Sequence, residues 1–208
     1  MALTLYHAAP SRSSTILWLL EELGQPFELV VLDLKKGEQR QPAYLAINPM
    51  GKVPVIKHTT AAGDTIITES AAICTYLADE FPVAKLAPAI GDPARGTYLR
   101  WMFFHGSAFE PAVIDHALKR EAASKQMLPY GDYDTTMATL AAALATGPYL
   151  LGERFSAADV QIGSNLRWTM QFGIVPKLPE FMAYVTRLSQ RPALKRAMAR
   201  DEALTAKP

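Results

Sequence analysis

Four clusters of side chains have the types and spacing for chemistry. Directly after Pro10, the run Ser11-Arg12-Ser13-Ser14 places three hydroxyls ahead of an apolar helical pattern, where Ser13 or Ser14 can cap the helix start. Glu69-Ser70 stands where a strand pattern gives way to a helix pattern, so free N–H groups and the positive end of a helix dipole are offered to a carboxylate. Val53-Pro54 opens a strand with a residue that cannot donate to a ladder; Pro54 therefore belongs at an edge and is a candidate for a cis peptide bond. Trp101, Phe104, His105 and Phe109 recur along one helical pattern, a stripe that either packs into a core or lines a cleft. The single cysteine, Cys74, lies among apolar residues and reads as an inert small hydrophobe; one thiol makes neither an internal disulfide nor a cysteine-rich metal site.

The elements that must position these residues change character along the chain. Residues 2–7 alternate as a strand does, and the next apolar run carries Ile16, Leu17, Leu19, Leu20 and Leu23 on one wide face, with Gly24 suited to the helix end. Residues 27–32 are almost continuously apolar, as expected for a strand covered on both faces. An irregular or weakly helical crossing over 35–52 leads to a hairpin of 53–57 and 65–68 around Ala62-Gly63-Asp64, then to a helix over 69–80 halted by Pro82. The order is β-α-β-α-β-β-α.

The proline-rich stretch that follows reads as a linker, and the rest is helical: 93–119, bent near Pro111; 132–146; a helix opened by a shortened Ser156/Asp159 capping box; 178–190; and 192–199. The expectation is an α/β thioredoxin-like N-terminal domain over 1–81, a linker over 82–92 and an all-α helical bundle over 93–208.

Composition narrows the partners. Across 208 residues, 21 Lys and Arg face 20 Asp and Glu for a net charge of +1 with the four His neutral, which argues against a nucleic-acid binder driven by bulk charge. Hydrophobic residues at 50% and charged residues at 20% fit a folded chain rather than a disordered one. The start lacks a basic segment followed by a long apolar stretch, and no window approaches the roughly 20 apolar residues of a bilayer span, so no membrane partner and a cytoplasmic, reducing setting are expected.

At the residue level the chain resembles the cytosolic glutathione transferases. The matching pieces are Leu5-Tyr6 with Ser11-Arg12-Ser13, Asn48-Pro49-x-Gly-Lys52-Val53-Pro54, Glu69-Ser70-x-Ala-Ile73, and Leu150-Leu151-Gly152 through Ala158-Asp159, in the family's order and over most of the chain. The resemblance implies a thioredoxin-like domain that holds glutathione as co-substrate, a helical domain that receives a small hydrophobic electrophile, a homodimer, a role in detoxification, and no metal.

It also implies roles for particular residues. Val53 lends its backbone to the cysteinyl part of the tripeptide as an added strand would, with a cis Pro54 turning that backbone outward. Glu69 pairs the ligand's ammonium group, Ser70 binds its γ-glutamyl carboxylate, and Lys52 and Gln39 face the glycyl end. The chemical step needs a thiolate at neutral pH. Lowering a thiol from its ordinary value near 8.5 by about two units takes roughly 2.7 kcal/mol, and a hydroxyl donor near a helix N-terminus supplies much of this. Ser11, Tyr6 and Ser13 are the candidate donors. Ser11 aligns with the donor of serine-type, theta-like members and Tyr6 with that of the tyrosine-type classes. No cysteine occupies this loop, which removes chemistry through a mixed disulfide with the protein. Trp101, Phe104, His105, Phe109, Trp168 and Met170 are candidates to line the electrophile's side, while Asp159 is expected to serve folding. The implied activity is a glutathione S-transferase. The alternatives are a glutathione-dependent peroxidase or disulfide reductase on the same scaffold, and a ligand-binding protein without turnover.

Overall fold

The computed structural model describes residues 2–121 and 123–206. The chain divides into two compact units: residues up to Ala84 together with those from Arg191 onward, and Lys85–Gln190.

The first unit is built on a four-stranded mixed sheet of β1 (Ala2–His7), β2 (Phe27–Val31), β3 (Val55–Thr60) and β4 (Gly63–Thr68), in the order β2-β1-β3-β4. β1 runs parallel to β2 and antiparallel to β3, with Tyr6 opposite Val30 on one side and Val55 on the other. Along β1, Leu3, Leu5 and His7 are buried and the residues between them are not, the period-two pattern of a strand with one face on a core. Two expectations are corrected here. β2 is an edge strand, so its apolar run is not covered throughout and Val31 is 46% exposed. Pro54 stands just ahead of β3, a central strand, rather than at an edge; ladder pairing starts at Val55, so the missing N–H removes no ladder bond. The Val53–Pro54 and Ala9–Pro10 peptides are both cis.

Helices α1 (Ser13–Leu23), α2 (Pro42–Leu45) and α3 (Ser70–Glu80) complete the thioredoxin-like order. α1 is capped by neither serine: Arg12 occupies the cap position without a side-chain capping bond, and Ser13 Oγ turns back toward β1 instead. Gly24 ends α1 in the left-handed conformation, as read from the sequence.

The sequence assigned the last helix to the helical domain, whereas α9 (Pro192–Thr205) groups with the first unit and packs along α1. The reason is charge placed at helical spacing. Arg196 and Arg200 reach Glu21 at 2.6 and 2.7 Å, and Arg191 forks onto Glu22 at 2.6 and 2.8 Å. This second partner explains why α1 is buried almost all round, with Ile16, Leu17, Leu19 and Leu20 fully inside.

The second unit contains α4 (Ala94–Phe104), α5 (Glu110–Ala117), α6 (Tyr133–Leu144), α7 (Ala157–Gln171) and α8 (Pro179–Ser189). Where a bend near Pro111 was expected, α4 and α5 join through a π turn over His105–Phe109, closed by the Glu110 N–H donating to the His105 carbonyl. α7 and α8 approach closely at Gly163, where a Cβ would run into Leu188 Cδ1. Asp159 starts α7 as expected, accepting from Ser156 N–H at 2.8 Å, and also accepts from Leu150 N–H at 2.9 Å and the Tyr184 hydroxyl at 3.0 Å. Among the described residues no helix is long and apolar enough to cross a membrane, and no group of three metal-ligating side chains comes together.

Candidate functional site

The loop joining β1 to α1 carries a run of hydrogen-bonding groups. Ser11 Oγ lies 2.7 Å from Ser13 Oγ and accepts from the Ser13 N–H at 3.1 Å. Ser13 is fully buried; its Oγ accepts from the Ala8 N–H at 3.1 Å and lies 2.8 Å from His7 Nδ1. The other ring nitrogen of His7 sits 2.9 Å from Asp201 Oδ1 on α9. Ser11 is half-buried, more exposed than Ser13 and His7. His7 and Asp201 escaped the sequence analysis. The signal for His7 was present, since it occupies the buried-face register of β1 where Leu3 and Leu5 precede it. Asp201 carried no local signal.

Tyr6 belongs to a different group. By the alternation of β1 its side chain leaves the opposite face of the strand from His7, and its ring meets Tyr44 edge-on at 5.8 Å. Tyr44 in turn donates to the Lys52 carbonyl at 2.6 Å, and Asn48 Nδ2 donates to the same oxygen at 2.9 Å. Burial above all, with Tyr6 adding to it, pushes Tyr44 up to about 12, so its hydroxyl keeps the proton it donates. Asn48 Oδ1 accepts from the Met50 N–H at 3.1 Å. Gly51, at φ +61°, closes this loop; a Cβ there would stand 3.0 Å from the Gln39 carbonyl, so the turn holding Gln39 packs against the loop backbone. The loop is thus pinned from several sides, with Lys52 exposed and the backbone of Val53 lying just outside the β3 ladder. Gln39 Nε2 donates to the Leu34 carbonyl at 3.4 Å.

Glu69 has a strained backbone. It sits at φ +66° and ψ 119°, left-handed territory that a residue with a Cβ enters at a cost of about 1–3 kcal/mol. Its carbonyl accepts from the Ile73 N–H at 2.9 Å, and its exposed side chain makes no capping bond, so the first turn of α3 is left uncapped from that direction, with Ser70 at its first position. Strain of this kind persists where the surroundings over-determine it.

Comparison with known proteins bears on this arrangement. Residues 1–79 match the glutathione S-transferase N-terminal domain and residues 130–200 match the glutathione S-transferase C-terminal domain. Glutathione S-transferase hmp2 of Hypomyces subiculosus is 32% identical over 77% of this chain and 79% of its own length. The chain belongs to the glutathione S-transferase family. Another relative, disulfide-bond oxidoreductase YfcG of Escherichia coli K12, is 28% identical over 95% of each chain. A sphingomonad glutathione S-transferase solved in complex with glutathione superposes with a TM-score of 0.77 at 31% identity, covering 96% of this chain and 98% of that one.

The aromatic residues singled out on the helical unit of this family member separate into two kinds. Trp101 and Phe109 are 1% and 0% exposed, so they form core. Phe104 packs edge-on against Trp101 at 5.1 Å and is half-buried. His105 is buried between amides of α7, with Gln161 Nε2 2.9 Å from Nδ1 and Asn165 Nδ2 3.1 Å from Nε2. Met170 is buried as well, whereas Trp168 is 49% exposed and leans on exposed Phe172 at 4.7 Å. Exposed Phe103 was not anticipated. Trp101, His105 and Phe109, spaced by four, all turn inward, so the stripe packs as core through the π turn and leaves Phe104 half-buried beside it. Cys74 is fully buried, and burial pushes its thiol far above the usual range.

Proposed function

We propose that this protein binds glutathione on its thioredoxin-like unit and transfers the glutathione sulfur, as a thiolate, to small apolar electrophiles. The observation that carries this reading is the half-buried Ser11 hydroxyl, braced by the Ser13 side chain and N–H at the start of α1, where a helix N-terminus favours negative charge. Ser11 is the proposed donor to sulfur. The opposite-face position of Tyr6 and the burial of Ser13 both favour Ser11 over those two candidates.

Val53 is proposed to pair with the peptide through its backbone, beside Pro54. The proposal further has Glu69 and Ser70 hold the γ-glutamyl end and Lys52 and Gln39 face the glycyl end. Trp168, with Phe172 beside it, offers exposed apolar surface suited to an electrophile. A cytoplasmic homodimer is part of the same proposal.

The test is uptake of glutathione by calorimetry, followed by turnover of an aryl halide, an organic hydroperoxide and a mixed disulfide. Uptake with aryl-halide conjugation supports the proposal, and absence of uptake defeats it. A second reading draws on the relative named as a disulfide-bond oxidoreductase, which this chain matches over 95% of its length. In that case bound glutathione itself reduces the disulfide, because Cys74 is buried and no cysteine stands in the β1–α1 loop. Turnover of the mixed disulfide in preference to the aryl halide selects it.

A further inference from the structure

The four groups Ser11, Ser13, His7 and Asp201 form a continuous line through the first unit, at successive separations of 2.7, 2.8 and 2.9 Å. Resting on the role proposed for Ser11, we infer that this line stores the glutathione thiol proton on His7, delivered through the two serine hydroxyls, with Asp201 facing the charge that results.

Donors and acceptors along the line match one to one. The Asp201 carboxylate lies at ion-pair distance from Nε2 without hydrogen-bond alignment, and its charge favours the proton on that nitrogen, which leaves Nδ1 of a neutral imidazole as an acceptor. Ser13 then donates to Nδ1 at 2.8 Å in preference to the Ala8 carbonyl at 3.3 Å, and Ser13 Oγ accepts from the Ala8 N–H and the Ser11 hydroxyl. In that state the Ser11 proton points inward and its outer side offers a lone pair, which suits an incoming S–H. When Nδ1 takes a proton, each bond reverses: Nδ1 donates to Ser13, Ser13 donates to Ser11, and Ser11 donates outward, which suits a thiolate. In both states the serine hydroxyls and Nδ1 are partnered, and each state matches one ionisation state of the ligand.

The step balances without any further reactant. The S–H bond breaks and its proton goes to Ser11 Oγ, the Ser11 proton to Ser13 Oγ, and the Ser13 proton to His7 Nδ1. A neutral thiol and a neutral imidazole become a thiolate and an imidazolium. Once the thiolate has formed its bond to carbon, the proton returns along the same line to the leaving anion or to water.

The surroundings of His7 single out Asp201 among the described residues. From α9, Arg196 and Arg200 turn to Glu21, and Arg191, just ahead of that helix, turns to Glu22; this occupies both carboxylates of α1. β2 places Val31 opposite His7 and donates the Leu32 N–H to the His7 carbonyl at 2.8 Å, with no ionisable side chain at that register. Asp201 is 20% exposed, so its charge is only partly screened by water. His7, Ser13 and Asp201 act through Ser11 and are positioning residues.

The experiment follows the thiolate absorbance of the glutathione complex against pH, together with calorimetry in buffers of different ionisation heat. S-methylglutathione, which has no thiol proton, serves as the binding control. In the wild type, fewer protons should reach the buffer than thiolates form. Asp201→Asn should raise the apparent thiol pKa by about one unit, roughly a tenfold loss of thiolate below that pKa, with S-methylglutathione affinity unchanged and recovery in Asp201→Glu. If Ser11→Ala raises the pKa while Asp201→Asn and Ser13→Ala leave it alone, the line to His7 is overturned and Ser11 keeps its role. If Ser11→Ala leaves the pKa alone, both fall. One full proton released per thiolate in the wild type overturns the relay without recourse to any variant.

Discussion

Replacing Glu69 by Gly and, separately, by Gln divides what its backbone costs from what its carboxylate does. Glu69 sits at φ +66°, a conformation that costs a residue with a Cβ about 1–3 kcal/mol and glycine almost nothing. Glycine gives back about 0.4–1 kcal/mol through the greater freedom of its unfolded chain. The net expectation for Glu69→Gly without ligand is a gain of about 0.5–2 kcal/mol. At roughly 2–4 °C per kcal/mol for a chain of this length, the midpoint should rise by about 1–8 °C. Glu69→Gln keeps the strained backbone, and with no capping bond to lose its midpoint should stay within about 1 °C. Both variants lose the charge proposed to meet the ligand's ammonium group. With about 1.5–3 kcal/mol for a hydrogen bond to a charged partner, glutathione should bind them roughly ten to 150 times more weakly. The assays are thermal unfolding without ligand and calorimetric titration with glutathione. A Glu69→Gly protein less stable than wild type would refute the strain, and wild-type affinity in Glu69→Gln would refute the ligand contact.

Tyr44→Phe removes one of the two donors to the Lys52 carbonyl and leaves the Asn48 bond, so urea unfolding should show a loss of about 0.5–1.5 kcal/mol; adding Asn48→Ala, which orphans that carbonyl, should cost more than the two changes taken singly. Cys74, buried and with its thiol pushed far up, should react with an aromatic disulfide only in denaturant, and rapid labelling of the folded protein would contradict its place in the core. Burial pushes Asp159 up to about 6 from the ordinary 3.8, so the folded chain takes its proton first. This group therefore adds stability as pH falls from about 6 toward 3.8 and subtracts it above 6. Asp132, held down to about 2 chiefly by the Thr135 N–H, acts in the opposite sense, its contribution being lost as pH falls below the ordinary 3.8. The difference in thermal midpoint between wild type and Asp159→Asn should move in favour of wild type as pH falls from 7 to 4.

What could be read from the chain follows the range of the forces involved. The alternation of β1, the apolar face of α1, the left-handed Gly24 and the Ser156/Asp159 box are settled within a few residues, and each stands where its local pattern put it. The turn from Asn48 to Pro54 was legible for the same reason, and it forms one pinned loop. The strain at Glu69 was not legible, because nothing in the residue type announces a positive φ that only the junction of β4 and α3 imposes. The aromatic stripe could pack into a core or line a cleft, and spacing alone does not decide between them; Trp101, His105 and Phe109 are buried. The place of α9 depends on Glu21 and Glu22 meeting arginines about 170 residues later, and no local pattern encodes such a meeting.

That distant meeting bears directly on the proton line proposed for His7. Asp201 can face His7 only if α9 lies in register along α1, and a slip of a single residue would rotate its carboxylate by about 100° around the helix. The fork of Arg191 on Glu22 and the paired reach of Arg196 and Arg200 to Glu21 fix that register at three points on the same stretch of chain. Surface ion pairs contribute little to stability as a rule. Here both carboxylates are nearly buried, and the bonds to them constrain where a fourth charged group falls. Their value therefore lies in geometry at the β1–α1 loop. Weakening them should first appear as a raised thiol pKa, ahead of any loss of the fold.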